Sequence, residues 1–85
     1  LEMLGATRAG VRLTVDLPDR KGILARVAGA ISEAGANIIS VATFELAPGT
    51  VRIVIRLEPD NADEAAQAIS ACGFDVVHRV RSYVQ

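Results

Sequence analysis

The sequence predicts an α+β sandwich, a four-stranded antiparallel sheet with two helices on one face. Strand patterns and helical patterns follow each other in the order strand–helix–strand–strand–helix–strand. Each helix ends at a glycine and passes into the next strand through a similar segment, 35–38 in the first half and 73–76 in the second. Right-handed crossovers and a hairpin between the middle strands favour the ferredoxin-like βαββαβ fold, with the spatial strand order 4-1-3-2.

The first half of the chain predicts a strand at 11–17 and a helix at 20–34. Apolar and polar residues alternate from Val11 to Leu17, the pattern of a strand with one covered face. Pro18 cannot donate a hydrogen bond to a neighbouring strand, so the strand ends there. The helix carries an apolar stripe at helical spacing and stops at Gly35. The stripe comprises Ile23, Leu24, Val27, Ala28, Ile31 and Ala34.

The second half predicts a hairpin, a helix that starts near Asn61, and a last strand. Pro48 and Gly49 mark the turn of the hairpin. Asn61 and Glu64 have the spacing of a capping-box variant. The remaining strands are expected at 37–46, 50–58 and 74–81. The second helix is expected to bury Ala65, Ile69 and Cys72 and to stop at Gly73.

The composition describes one small domain with an aliphatic core. The chain has 85 residues, 51% of them hydrophobic, with two Phe, one Tyr and no Trp. We expect the domain at 11–82, a lead-in at 1–10 and a short tail at 83–85. The first residue is Leu1 rather than Met, so we expect either a piece of a longer protein with an upstream domain or a processed chain.

Several classes of protein do not fit this sequence. The net charge of −1 gives no basic field for nucleic acid. No apolar run reaches the ~18 residues of a membrane span, and no signal peptide is evident. The single Cys fits a reducing compartment, so we expect a cytoplasmic protein.

The sheet face without helices is expected to be partly apolar. The polar residues predicted there are Arg12, Thr14, Asp16, Arg52, Arg56, Arg79 and Arg81, and the apolar ones are Ile39, Val41, Val54 and Val77. Such a mixture suggests that a second subunit or the upstream domain covers it. The second strand also has few charges and lies at an edge, where it can pair with its own copy. We therefore predict a homodimer.

The turn after the first strand is the predicted functional site. Asp19 is placed to cap the helix. Gly22 either serves the tight turn or lets a ligand approach the N–H groups of the helix start. Asn37 opens the second strand, and we expect the bends at Gly22 and Gly35 to bring it to the same end of the sheet as Asp19.

The segments D-R-K-G-I-L-A-R-V and G-A-N-I resemble an ACT domain, a small-molecule sensing module of amino-acid metabolism. The resemblance covers about 11–80, and Lys21 stands where the family usually has Pro. It implies a non-catalytic domain that needs no cofactor and binds an amino acid or similar metabolite. The ligand would lie where the first turn of one subunit meets strand 2 of its partner. The ligand-binding residues implied by motif position are Asp19, Arg20, Lys21, Gly22, Ile23, Leu24, Asn37 and Ile38.

Within that resemblance, Asp19 would accept from a ligand ammonium or shape the turn. The N–H groups near Arg20 to Ile23 would receive a carboxylate, and Asn37 would bond a polar group of the ligand. Asp19 has the simpler role of a helix cap, and Asn37 that of a residue tolerant of an unusual turn. The lead-in Met3–Ala6 is similar to the linker of acetoin-utilisation-type proteins, which carry paired CBS domains ahead of an ACT domain.

The sequence does not have the residue patterns that other functions of this fold require. An RNA-binding sheet needs aromatic residues on its open face, and Phe44 and Tyr83 are not expected there. Metal transport on this fold uses C-x-x-C, which is absent, and Cys72 is expected in the core. His78 has no partner at metal-ligand spacing, and no nucleophile–base pair is evident. No catalytic or metal site is therefore predicted, and the alternative to a sensor is a purely structural dimerisation domain.

Overall fold

The computed structural model describes residues 10–82, which form four strands and two helices in the predicted order. The elements are β1 Gly10–Pro18, α1 Ile23–Glu33, β2 Ile38–Ala47, β3 Thr50–Leu57, α2 Ala62–Ala71 and β4 Asp75–Ser82. The predicted tail, the predicted lead-in up to residue 9 and the Met3–Ala6 linker lie outside the described residues.

The four strands form one antiparallel sheet in the order β2-β3-β1-β4. β1 pairs with β3 on one side and β4 on the other, and β2 pairs with β3. This order confirms the predicted ferredoxin-like fold. It leaves β2 at one edge and β4 at the other.

The core lies between the helices and one face of the sheet, and it is aliphatic, as predicted. β1 contributes every second side chain, from Val11 to Leu17, each no more than 2% exposed. α1 contributes Val27 and Ile31. The other fully buried members are Ile53, Ile55 and Leu57 of β3 and Ala62, Ala65, Ala66 and Ile69 of α2. Cys72, predicted in this core, is only half-buried because it follows the last turn of α2.

Both helices end in the same way, which confirms the similarity of the two halves. Gly35 and Gly73 have φ of 84° and 93°, a left-handed conformation that glycine adopts at low cost. The N–H of Ala36 donates to Ile31 O, and that of Phe74 donates to Ile69 O. These are the bonds of a Schellman motif, which turns the chain from helix to strand.

The helix starts differ from the predictions. α1 begins at Ile23, and its N-cap is Gly22, which is left-handed and makes no side-chain cap bond. Asp19 is therefore not the cap. Asn61 does precede α2, but with φ 64° and no cap bond, so the capping box with Glu64 is wrong. Its Nδ2 donates instead to Gly35 O at 3.0 Å.

Bulges change which side chains reach the open face, the sheet face away from the helices. On β2, Ile38 pairs with Leu57 but Ser40 pairs with Arg56, so one extra residue shifts the alternation. The prediction that Val41 is on the open face is therefore wrong, because Val41 lies opposite buried Ile55.

A second bulge has the same effect on β4. Val15 pairs with Val76 and Thr14 with His78, so Arg79 lies opposite buried Leu13 on the helix side. There it forms an ion pair with Asp63 of α2. Arg79 and Arg81 were thus wrongly predicted on the open face, and Phe44 wrongly left off it. The open face carries Arg12, Thr14, Asp16, Ser40, Ala42, Phe44, Arg52, Val54, Arg56, His78 and Val80.

Candidate ligand-binding site

A small cavity opens beside the turn that joins β1 to α1. Its volume is about 130 Å³. It lies between the first turn of α1 and the helix-side face of the sheet, at the end where β1 stops and β3 starts. The lining residues are Leu17, Pro18, Asp19, Arg20, Ile23, Leu24, Thr43, Val51 and Ile53.

Backbone hydrogen bonds fix the turn at the mouth of this cavity. The N–H of Asp19 donates to Gly49 O at 2.9 Å, which holds the turn against the β2–β3 hairpin. The N–H of Arg20 donates to Pro18 O at 2.9 Å, and that of Ile23 to Arg20 O at 3.3 Å. The chain then enters α1 through Gly22, whose φ of 84° places it in the left-handed region.

Gly22 is needed for its conformation rather than for space. A Cβ built on it meets no atom within 4 Å, so the positive φ is what favours glycine. The first of its two possible roles, the tight turn, is therefore supported. The space beside Gly22 would also allow a ligand to approach, and this second role stays a prediction.

The N–H groups at the start of α1 have no side-chain acceptor, although those of Arg20 and Ile23 already donate to backbone oxygens. No side chain caps the helix, and no acidic residue lies in its first turn. An uncapped helix start carries partial positive charge and binds anions readily. The mouth therefore combines these donors with the exposed side chains of Asp19, Arg20 and Lys21.

The interior of the cavity is aliphatic. Leu17 and Ile53 at its floor are at most 2% exposed, and Ile23 and Val51 are half-buried. Leu24 closes one side and is 47% exposed. Thr43 of β2 forms the outer wall. No charged or polar side chain of residues 10–81 is buried, so the polar chemistry of the site is confined to its rim.

Asp19 and Asn37 lie at opposite ends of the sheet, contrary to the expectation that they meet. β1 ends at Pro18, opposite Thr50, whereas β2 starts at Ile38, opposite Leu57. Thr50 and Leu57 are the two ends of β3, roughly 23 Å apart for an extended strand. Asn37 and Ile38 of one chain therefore cannot reach a small ligand beside its own Asp19. Their roles as ligand-binding residues stay predictions.

Four of the predicted ligand-binding residues line the cavity, and several lining residues were not predicted. Asp19, Arg20, Ile23 and Leu24 are lining residues, while Lys21 and Gly22 lie between them on the turn. Leu17, Val51 and Ile53 were read as core, which their alternation does indicate. Thr43 could be found only with the β2 bulge, because that bulge places it on the helix side.

An ion pair on the open face braces the strands behind the cavity. Arg52 Nε and Nη2 donate to the two carboxylate oxygens of Asp16 at 2.7 and 2.9 Å. These hydrogen bonds hold the pKa of Asp16 below its usual value and raise that of Arg52. The next pair in the register is Leu17 and Val51, both of which line the cavity.

Two other kinds of site were sought within the described residues. Between residues 10 and 82, no three His, Cys, Asp or Glu side chains come close enough to hold a metal ion. Neither α1 nor α2 is long and apolar enough to cross a membrane.

Solved structures show the same fold. The regulatory subunit of aspartate kinase from Thermus thermophilus is 20% identical, with a TM-score of 0.69 over 89% of this chain and 51% of that one. A putative glycine cleavage system transcriptional repressor is 18% identical, with a TM-score of 0.71 over 91% of this chain and 47% of that one. An ACT domain protein from Streptococcus pneumoniae is 18% identical, with a TM-score of 0.59 over 89% and 90% of the two chains.

These identities are low, so the likeness concerns the fold, and the chain spans about half the length of the first two structures. A search of curated proteins gave no match. The sequence pattern of one family, the TTHA0829-like ACT domain, matches residues 9–81, nearly the whole chain. This chain therefore belongs to the TTHA0829-like ACT domain family.

Proposed function

We propose that this ACT domain binds an amino acid or a similar small metabolite at a dimer interface and passes the signal to an attached domain. The observation that carries the proposal is the cavity at the β1–α1 turn, whose outer wall is the edge strand β2. At about 130 Å³ the cavity is smaller than the ~300 Å³ at the low end of ligand pockets. A second chain at the β2 edge would add space outside the mouth of the cavity for the rest of a ligand.

The second chain is expected to pair through β2. Eight of the ten residues of β2, 40–47, are exposed, and the only charged residue of this strand is Glu45. β4, the opposite edge, carries Asp75, Arg79 and Arg81 within a shorter strand. Since charges on an edge strand discourage pairing, β2 is the edge that favours a second copy.

Antiparallel pairing of β2 with its copy explains how Asn37 can serve the site. A two-fold axis at the centre of Ile38–Ala47, between Ala42 and Thr43, places residue 37 of one chain beside residue 48 of the other. Pro48 precedes Gly49, which accepts the hydrogen bond from Asp19. Asn37 of the partner subunit would then lie beside the turn that carries Asp19. Within one chain, these two residues are too far apart to share a ligand.

This arrangement gives each polar group of an amino-acid ligand a partner in the protein. A carboxylate would accept from the N–H groups of the first turn of α1, with Arg20 and Lys21 nearby. An ammonium would donate to Asp19, and Asn37 of the partner subunit would bond a polar group beside Ile38. Each charged part of the ligand then stays at the rim, where it keeps contact with water.

A mixed-dimer experiment tests this site. Calorimetry against the twenty amino acids, acetoin and nucleotides first identifies a ligand. Asp19→Asn and Asn37→Ala are each expected to lose binding, while the control Asp60→Asn, a change at an exposed turn residue, binds normally. Mixing the first two variants should restore binding, because one site of each mixed dimer then has both native residues. Two inactive variants that form dimers but do not complement each other would contradict the shared site.

The second candidate function is a dimerisation domain that binds no ligand. The exposed apolar residues of β2 favour it as much as they favour a sensor, since they serve the dimer in both cases. Absence of heat with every compound, together with an intact dimer in sedimentation, would support this function.

The attached domain is also part of the proposal. The aspartate kinase subunit and the transcriptional repressor are about twice the length covered by this chain, and both names describe regulation. We expect the present domain to regulate a partner domain in the cytoplasm, and paired CBS domains ahead of it are the candidate partner. The sequence of the complete gene product tests this directly.

A further inference from the structure

We infer that the ligand of the proposed site is an α-amino acid with a small aliphatic side chain, and that this side chain fills the cavity lined by Leu17, Ile23, Val51 and Ile53. This inference rests on the proposed function and adds the class of ligand. It follows from three properties of the cavity: the chemistry of its walls, its volume, and the position of the charges.

The walls decide which part of the ligand enters. Leu17 and Ile53 belong to the buried core, and the floor offers neither a charge nor a side-chain hydrogen bond. A charged group placed there would lose its water without gaining a partner, which is strongly unfavourable. The ammonium and carboxylate must therefore stay at the rim, near Asp19 and the start of α1, and the apolar part must point inward.

The volume decides how large that part is. An apolar cavity of ~150 Å³ accommodates the six carbons of benzene, so about 130 Å³ holds roughly five carbon atoms. The side chains of valine, leucine and isoleucine have three or four carbons and fit. The seven carbons of a phenylalanine side chain do not.

A ligand series tests the inference on the unaltered 85-residue chain. Calorimetry is run with glycine, alanine, valine, leucine, phenylalanine and aspartate. We expect affinity to rise by about fourfold for each methyl or methylene group that enters the cavity, up to valine or leucine. Phenylalanine and aspartate should bind at least about tenfold more weakly than leucine, since a misfit or a buried charge costs more than one added methylene gains.

A matched pair of variants then tests whether Val51 limits the size of the ligand side chain. Val51→Ala removes two carbons from the cavity, adding on the order of 50 Å³, and should shift the preference towards phenylalanine. Val54→Ala is the control, because Val54 is also half-buried on β3 but faces the open side of the sheet. Its preference should stay that of the unaltered chain.

The outcomes separate this inference from the proposed function. Equal affinity across the series, or tighter binding of phenylalanine or aspartate by the unaltered chain, would overturn the inference while leaving a ligand-binding domain. No heat with any amino acid would overturn both. The series needs no variant, so it decides the question even if Val51→Ala does not fold.

Discussion

Asp16 and Arg52 make a two-pronged ion pair, and it should make stability depend on pH. The Arg52 hydrogen bonds lower the pKa of Asp16 in the folded chain. A lowered pKa contributes stability that is present above the unfolded value, ~3.9 for Asp, and is lost as pH falls through the folded value. We expect urea denaturation to show Asp16→Asn less stable than the unaltered chain at pH 7, with the gap closing below pH 4. An equal gap at both pH values would contradict a charge-dependent role.

The variant Asp19→Ala tests whether the stability of the start of α1 depends on the Asp19 side chain. A capping Asp replaced by Ala costs ~0.5–2 kcal/mol, but here the structural bond is made by the Asp19 backbone N–H, which Ala keeps. Asp19→Ala should therefore change the free energy of unfolding by less than ~0.5 kcal/mol. Gly22→Ala is the contrast, because its φ of 84° should cost an Ala roughly 1–2 kcal/mol. Urea denaturation of both variants measures the two effects, and a larger loss for Asp19→Ala would restore the capping role.

At the level of the elements, the two helix ends offer a paired comparison. Gly35 and Gly73 close α1 and α2 with similar positive φ, yet only a Cβ on Gly35 meets a neighbour, Asn61 Nδ2 at 2.9 Å. Gly73→Ala should cost roughly 1–2 kcal/mol for the strained conformation alone. Gly35→Ala should cost about 1 kcal/mol more, because it displaces the hydrogen bond from Asn61 to Gly35 O.

A double-mutant cycle with Asn61→Gly checks the origin of that difference. Glycine keeps the left-handed conformation at position 61 and removes the amide. In this background, Gly35→Ala should cost no more than Gly73→Ala when unfolding is followed in urea. A persistent difference would show that the Asn61 contact is not its cause.

The same elements show what could be predicted from the sequence. The alternation in β1, the apolar stripe of α1 and the glycines after each helix were sufficient for the fold, because each reports a local backbone preference. The bulges in β2 and β4 were not predictable, since one extra residue leaves the apolar count unchanged while reversing which face Val41 and Arg79 occupy. The placement of Asn37 beside Asp19 failed for a different reason. Two parallel strands joined by a helix start at one end of the sheet and finish at the other.

At the scale of the whole molecule, the site proposed above depends on an interface that a single chain does not contain. Neither edge strand, β2 or β4, pairs with another strand on its outer side within the described residues, and the outer wall of the cavity belongs to one of them, β2. A sequence can identify the Asp19 turn and the Asn37 strand start by motif. It cannot show whether they serve one site across two subunits, because the pairing of strands between subunits is a property of two chains.

The dimer prediction separates the two edges of the sheet. Val41 of β2 and Val77 of β4 are 43% and 46% exposed, so a lysine at either position has a similar effect on the isolated chain. Val41→Lys places like charges near the proposed two-fold axis and should produce a monomer at micromolar concentration in sedimentation velocity, whereas Val77→Lys should remain dimeric. If Asn37 of the partner subunit completes the site, Val41→Lys should also lose ligand binding and Val77→Lys should keep it. A monomeric unaltered chain would contradict the interface, and a monomeric Val41→Lys that still binds ligand would place the whole site within one chain.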